Sequence, residues 1–246
     1  ATGPTGLGNA HIRIMFTRDD NLAENVTAYH NQIRNGKVEA PVRELLIAGD
    51  GIPLRQSPTK IRPIVIPSAT LRFIGRVDIR SLRSQLESYF LHAHPRVKQF
   101  AVGVDSGGEL LFRLVNDTLR ASPSTIAVSN DAKKAFQNFD RDAIWTARDT
   151  KFPEIANLVR LQYGIPSSIL LQNAGLGDPV TVLNAVGARQ GCASFGTLIY
   201  ALVQHPILIE VAEQYEDLEI LAFADDANFL SECTVNNDAL THTPAL

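Results

Sequence analysis

Asp225 and Asp226 stand side by side between two short apolar arms, Leu221-Ala-Phe-Ala224 and Ala227-Asn-Phe-Leu230. Strand, two-carboxylate turn, strand is the reading of that pattern, and it sets two like charges at the tip of an apolar hairpin. Their repulsion is costly unless a cation compensates it. Aspartate is also an ordinary turn residue, because its side chain hydrogen-bonds to nearby backbone, so the pair by itself leaves a solvated turn and a cation site both open. Asp131 shifts the balance. It stands just beyond a short run, Ser124 to Ser129, that reads as a buried strand. One strand-end carboxylate plus a hairpin-tip pair is a ligand set for two hard divalent ions roughly 3.5–4 Å apart, which activate a hydroxyl nucleophile and stabilise a leaving pyrophosphate.

The charge distribution has the same polarity. The chain of 246 residues has a net charge of only −3, but nine Lys and Arg stand between Arg55 and Lys98 against two acidic residues, Asp78 and Glu87. After Arg189 there is no Lys or Arg, while nine acidic residues lie from Glu210 to Asp238. A basic stretch followed by an acidic one suits a protein that holds a polyanion on one side and cations on the other; two solvated faces of a neutral globule fit the charge alone equally well. With 45% apolar residues the chain is a folding one, and its two cysteines, Cys192 and Cys233, are too few for a disulfide framework or a zinc cluster. No stretch is apolar enough for a membrane span, and the first residues lack the pattern of a signal peptide. Other chemistries find no support. His92-x-His94 has no third ligand nearby, Gly3-x-x-Gly6-x-Gly8 lacks the Lys of a phosphate-binding loop, and no Gly-x-Ser-x-Gly occurs.

The elements that must position these groups follow from periodicity. Helical patterns run over Asn21 to Ile33 and Pro41 to Ala48, and Lys60-Ile-Arg-Pro-Ile-Val-Ile-Pro67 reads as a strand near a sheet edge. Leu71 to Leu91 reads as one amphipathic helix that carries Arg72, Arg76, Arg80 and Arg83 on a basic face suited to a nucleic-acid backbone. Asp105 to Gly108 is a turn capping a helix from near Glu109 to about Arg120. Ala143 to Arg148 and Glu154 to Tyr163 look helical, Ile169 to Asn173 and Val180 to Ala185 pair across Gly175-Leu-Gly-Asp-Pro179, and Thr197 to Tyr215 is an apolar helix that Pro206 kinks or divides. Helices mixed with antiparallel hairpins give an α+β fold.

Taken in order over roughly 220 residues, these segments resemble the reverse transcriptases of non-long-terminal-repeat retrotransposons. Asp131-Ala-Lys-Lys-Ala-Phe136 resembles the first palm motif, an Asp followed five residues later by an aromatic. Gly187-Ala-Arg-Gln-Gly191, continuing through Ser194 to Gln204-His-Pro206, resembles the second, and Phe223-Ala-Asp-Asp226 the third. Upstream, Gly3-Pro-Thr-Gly6, Lys60-Ile-Arg-Pro-Ile64 with Arg72 to Arg76, and Val102 to Glu109 resemble the family's fingers segments and its Gly-rich turn.

The resemblance implies a right-hand polymerase: fingers over 1–120 and an incomplete palm with an antiparallel sheet over 121–246, with no thumb in the 20 residues after Asp226. It implies RNA-directed synthesis of DNA, with an RNA template, a DNA primer, deoxynucleoside triphosphates and Mg²⁺, or Mn²⁺ in its place. Asp131 and Asp225 would be the metal ligands and Asp226 a partial one. Lys60 and Arg62 would reach the triphosphate, and Phe136 would press on the sugar and exclude a 2′-hydroxyl. Gln190-Gly191 would start a helix beneath the nascent base pair. Two departures stand out: Cys192-Ala193 replaces the family's usual Asp-Pro, and Phe223 its commoner Tyr. The alternative to a polymerase is a retroelement remnant that binds RNA or DNA without catalysis.

Overall fold

The computed structural model describes residues 2–58, 61–171, 180–192 and 195–233. In chain order its elements begin with α1 (Asn9–Thr17), α2 (Asp20–Arg34), α3 (Ala40–Ile47), β1 (Gly49–Arg55), β2 (Ile61–Pro67) and α4 (Ala69–Ser81). There follow α5 (Arg83–His92), β3 (Val97–Gln99), α6 (Gly107–Ala121), β4 (Thr125–Asp131), α7 (Ala135–Asn138) and α8 (Asp142–Lys151). A 3₁₀ turn (Pro153–Ile155), α9 (Ala156–Tyr163), β5 (Ser167–Leu171), β6 (Val180–Asn184), α10 (Gly196–Gln214), β7 (Glu219–Phe223) and β8 (Asp226–Glu232) complete the order. The chain forms two compact units that interleave in sequence: Ala1–Ser84 with Lys133–Val203, and Gln85–Ala132 with Gln204–Leu246. No helix among the described residues is long and apolar enough to cross a membrane.

In the first unit, helix starts follow from capping chemistry. Asp19 Oδ1 accepts hydrogen bonds from the backbone N–H of Asn21 at 2.8 Å and of Leu22 at 3.2 Å, and Ser68 Oγ accepts from Leu71 N–H at 3.3 Å. The sheet has the order β2-β1-β5-β6, with β1 antiparallel to β2 and parallel to β5, and β5 antiparallel to β6. β2 therefore lies at an edge, as its prolines require. The expected β5–β6 pairing is present; its connecting turn lies outside the described residues.

Two buried arginines tie this unit together. The Arg141 guanidinium donates to the carbonyls of Gly187 at 3.0 Å, Tyr163 and Ile165 at 3.2 Å and Asn184 at 3.1 Å, and to Asn184 Oδ1 at 2.6 Å. Arg189 donates to the Ile47 carbonyl and, at 3.3 Å, to Gln162 Oε1. Both guanidinium groups lie 5.4 Å from the centre of the buried Tyr163 ring. A planar group with five N–H donors is needed to satisfy so many converging carbonyls.

In the second unit the sheet order is β3-β7-β8-β4. β3 runs parallel to β7, while the β7–β8 hairpin and the β8–β4 pair are antiparallel. Alternation along β7 feeds two cores. Ile220 and Ala222 pack with Val97, Leu208 and Ala212, and Leu221 packs with Phe100, Leu230 and the α6 residues Leu111, Leu114 and Val115. The sheet thus lies between the C-terminal half of α10 on one face and α6 on the other.

Four expectations are corrected. β4 is not a buried strand: it pairs only with β8, and Ile126 and Val128 are 54% and 53% exposed. Asp131 is the strand's last residue and does not lie beyond it. The span from Leu71 to Leu91 is two helices, because Leu82 leaves helical geometry; its N–H still reaches the Asp78 carbonyl at 3.0 Å, which also accepts from Ser81 Oγ at 2.8 Å. Pro206 does not divide α10, which is helical through that residue.

His205, fully buried on α10, meets the edges of the Tyr89 and Phe90 rings at 5.1 and 5.3 Å. Burial, reinforced by the charge of His94, lowers its pKa from 6.5 to about 4. The unfolded chain therefore binds the proton first, so the contribution of neutral His205 is complete above about pH 6.5 and is lost as pH falls toward 4. Its full loss amounts to about 3 kcal/mol. Unfolding monitored from pH 7 to pH 4 is expected to show this slope, and His205→Phe to flatten it. Arg141→Lys has too few donors for its carbonyls and is expected to lower stability by about 2–4 kcal/mol in urea unfolding. A neutral effect of that substitution would contradict the role given to the guanidinium.

Candidate active site

Strand register brings the three aspartates together. β4 and β8 pair so that Asp131 lies opposite Asp226, and the β7–β8 hairpin places Asp226 opposite Phe223, with Ala224 and Asp225 as its turn. Directly opposite residues in an antiparallel pair have Cβ atoms about 4.5–5.5 Å apart, so like charges there repel. The pKa of Asp226 is accordingly raised, first by partial desolvation and then by the charges of Asp225 and Asp131. Asp131 and Asp226 are exposed and Asp225 is half-buried, which leaves the carboxylates open to an incoming group.

Carboxylate oxygens are the ligand type of a hard divalent ion such as Mg²⁺. Among the described residues, no group of three or more His, Cys, Asp or Glu is gathered closely enough to enclose a metal by itself. Mg²⁺ does not require such an enclosure, since it is commonly held by one or two carboxylates together with phosphate oxygens and water. The crowding of Asp226 by two neighbouring carboxylates is the electrostatic state that such an ion would relieve.

A residue that the sequence reading missed holds this turn. Ala224 adopts a left-handed conformation, φ +54°, that is unfavourable for any residue with a Cβ. The fully buried Gln99 brackets it: Oε1 accepts from the N–H of Ala224 at 3.0 Å and of Ala101 at 3.0 Å. Nε2 donates to the Ala224 carbonyl at 3.2 Å and to Gln204 Oε1 at 3.3 Å. Its only signal in the sequence is an uncharged amide within the largely apolar run Val97 to Val102.

The other candidate residues lie in the first unit. Lys60 is outside the described residues, as are Ala193 and Ser194. Arg62, on edge strand β2, is exposed, and its guanidinium is 3.0–3.1 Å from the side-chain amide of Gln56. The segment Gly187 to Gly191 is fastened on both sides. Ala188 N–H donates to the Phe136 carbonyl at 2.6 Å, Gln137 Nε2 to Gln190 Oε1 at 2.8 Å, and Val65 N–H to the Gln190 carbonyl at 2.7 Å. Gly191 has φ +104°, and a Cβ there would stand 2.6 Å from the Val65 carbonyl oxygen. Glycine is thus required by the approach of β2. Gln190-Gly191 does not start a helix, since α10 begins at Gly196. Phe136 is half-buried with its ring 5.3 Å from that of Tyr200. Arg72, Arg76 and Arg80 lie on α4, while Arg83 is the first residue of α5. Arg72 and Arg76 line a cavity of about 450 Å³ together with Arg13 of α1, an arginine the sequence reading did not single out.

No protein-family model matches the sequence, and no curated protein matches it. Solved structures match it in fold. The chain aligns over 86% of its length with 42% of the telomerase of Candida albicans, in a complex with a TWJ fragment of telomeric RNA, at a TM-score of 0.53 and 11% identity. Apo telomerase of Candida tropicalis matches over 86% of this chain and 44% of that one, with a TM-score of 0.53 and 12% identity. The Candida tropicalis form truncated from the C-terminal domain matches over 85% and 49%, with a TM-score of 0.50 and 13% identity. The chain therefore spans less than half the length of these telomerases. At such identities the likeness is one of fold: a mixed α+β architecture with antiparallel-rich sheets, similar to the matched region of these telomerases.

If the three carboxylates repel one another in the metal-free protein, Asp226→Asn is expected to raise its melting temperature at pH 7. The gap should close as pH falls through the carboxylate range, because the raised pKa of Asp226 means that protonation removes the same penalty from the wild type. Thermal melts in chelator at both pH values test this; a lower melting temperature for the variant at pH 7 would contradict it.

Proposed function

We propose that this chain carries the catalytic carboxylates of an RNA-directed DNA polymerase, with Asp131 and Asp225 as metal ligands and Asp226 as a partial ligand. The observation that carries the reading is the register of β4, β8 and β7, which gathers Asp131, Asp225 and Asp226 at one end of a sheet. The polymerase-like fold supports nucleotidyl transfer, and the RNA in one of the matching telomerase structures supports RNA as the template. The order of the sequence motifs supports an origin in a non-long-terminal-repeat retrotransposon.

Two Mg²⁺ ions, when bound, favour ionisation of the primer 3′-hydroxyl and neutralise charge on the entering and leaving oxygens at the α-phosphate. The chain's own residues do the positioning. Asp131 and Asp225 supply anionic oxygens that fix where cationic charge resides. Lys60 and Arg62 hold the triphosphate, and Arg62 presents a planar fork suited to phosphate oxygens. The motif order assigns Phe136 to the deoxyribose, where it would disfavour a 2′-hydroxyl, and Gln190 and Gly191 to the nucleotide. Arg72, Arg76, Arg80 and Arg83 contact the template backbone, giving affinity without sequence choice. Catalysis of this kind rests on orientation and electrostatics, with no demand for a dedicated general base.

A second reading, nucleic-acid binding without catalysis, draws on Cys192-Ala193, which stands where the retrotransposon family carries Asp-Pro. Primer extension on an RNA template separates the two, using this chain, a form extended by a thumb region, and the Asp225→Ala variant of each. Mg²⁺-dependent incorporation of deoxynucleotides, reduced at least a hundredfold by Asp225→Ala, is the expected result. Salt-sensitive RNA binding with no extension by either form would replace the polymerase reading with the binding one.

A further inference from the structure

We infer that Gln99 is a positioning residue for Asp225: it locks the peptide that precedes this carboxylate and thereby sets the geometry of the metal site. The inference rests on the metal-site reading above, and its evidence is the bonding of one side chain. A primary amide has two acceptor lone pairs and two N–H donors. All four are used in Gln99, and two of them engage the N–H and the carbonyl of the same residue, Ala224.

The two bonds act on the dihedrals that aim Asp225. A two-residue hairpin turn with a left-handed first position commonly uses Asn or Gly, which tolerate that conformation. Here the position is Ala, at φ +54°, so the turn carries backbone strain that its surroundings must offset. Gln99 stands on β3 opposite Ala222 of β7, so its backbone is anchored in the same sheet as the hairpin it grips. The backbone N–H of Phe100 donates to the Ala222 carbonyl at 2.8 Å and extends that anchor beyond the strand. The support therefore runs from sheet to side chain to turn, and the residue at its end is Asp225. Supporting hydrogen bonds of this sort orient metal ligands, and their loss commonly weakens metal binding about 10–100-fold.

Calorimetric titration with Mn²⁺ tests the assignment on the full chain without requiring turnover. Gln99→Met keeps the side-chain length and removes all four bonds; it is expected to weaken Mn²⁺ binding about tenfold or more. Ala224→Gly in the Gln99→Met background relieves the left-handed strain. The double variant is expected to recover the melting temperature but not the affinity. Recovery of both would overturn the inference, because Gln99 would then serve only to offset strain. Unchanged affinity in Gln99→Met would overturn it directly. Asp225→Ala separates this from the parent reading: if the wild type binds Mn²⁺ no better than Asp225→Ala does, the metal-site assignment fails and the role of Gln99 falls with it.

Discussion

Everything proposed for this protein depends on one register: Asp131 at the end of β4 facing Asp226 at the start of β8. A slip of one residue would turn every side chain of β4 to the opposite face and move Asp131 away from its partner. The register is maintained over seven residue pairs, from Thr125 opposite Glu232 to Asp131 opposite Asp226. On the far side of β8, the apolar alternation of β7 specifies the hairpin, since Ile220, Leu221 and Ala222 are all fully buried. The fold thus brings like charges together at one end by burying apolar side chains along the rest of the sheet. Hydrophobic burial is non-directional and can carry a local electrostatic penalty of this kind.

The first unit solves a different problem. Its segment from Gly187 to Gly191 has no regular secondary structure to fix it, yet its polar groups are paired with Phe136, Gln137 and Val65 and with the guanidinium of Arg141. Arg141 and Arg189 converge on Tyr163 and draw in carbonyls from β6, α9 and the loops beside them. Buried guanidinium groups satisfied by carbonyls replace the ladder that an irregular segment lacks.

Much of this was legible in the residues. The β7–β8 hairpin declares itself through two apolar arms around Asp225-Asp226, and the prolines of β2 announce an edge strand. What was not legible has common physical causes. β4 reads as buried because Ile126 and Val128 are apolar, but periodicity cannot say whether a neighbour covers them, and here they are exposed. The break at Leu82 leaves no Gly or Pro in the sequence, so Leu71 to Leu91 reads as one helix. Gln190-Gly191 reads as a helix start, whereas α10 begins at Gly196 and Gly191 is set by the close approach of the Val65 backbone. Gln99, Arg141 and Arg189 act through partners distant in sequence, and nothing local in their composition marks them. The motifs and the fold agree on a mixed α+β architecture, while the side-chain hydrogen bonds that hold the Asp225 turn emerge only in three dimensions.

The polymerase proposal depends on a divalent cation binding at Asp131 and Asp225, with Asp226 as a partial ligand. The most direct measurement is the residue-by-residue loss of amide NMR signal on adding trace Mn²⁺, a paramagnetic ion that broadens its nearest neighbours first. The amides of Asp131 and of Ala224 to Ala227 are expected to broaden before any others, and Mg²⁺ in excess to restore them. Broadening that begins elsewhere in the chain, with the amides around Asp131 and Asp225 unaffected, would contradict it.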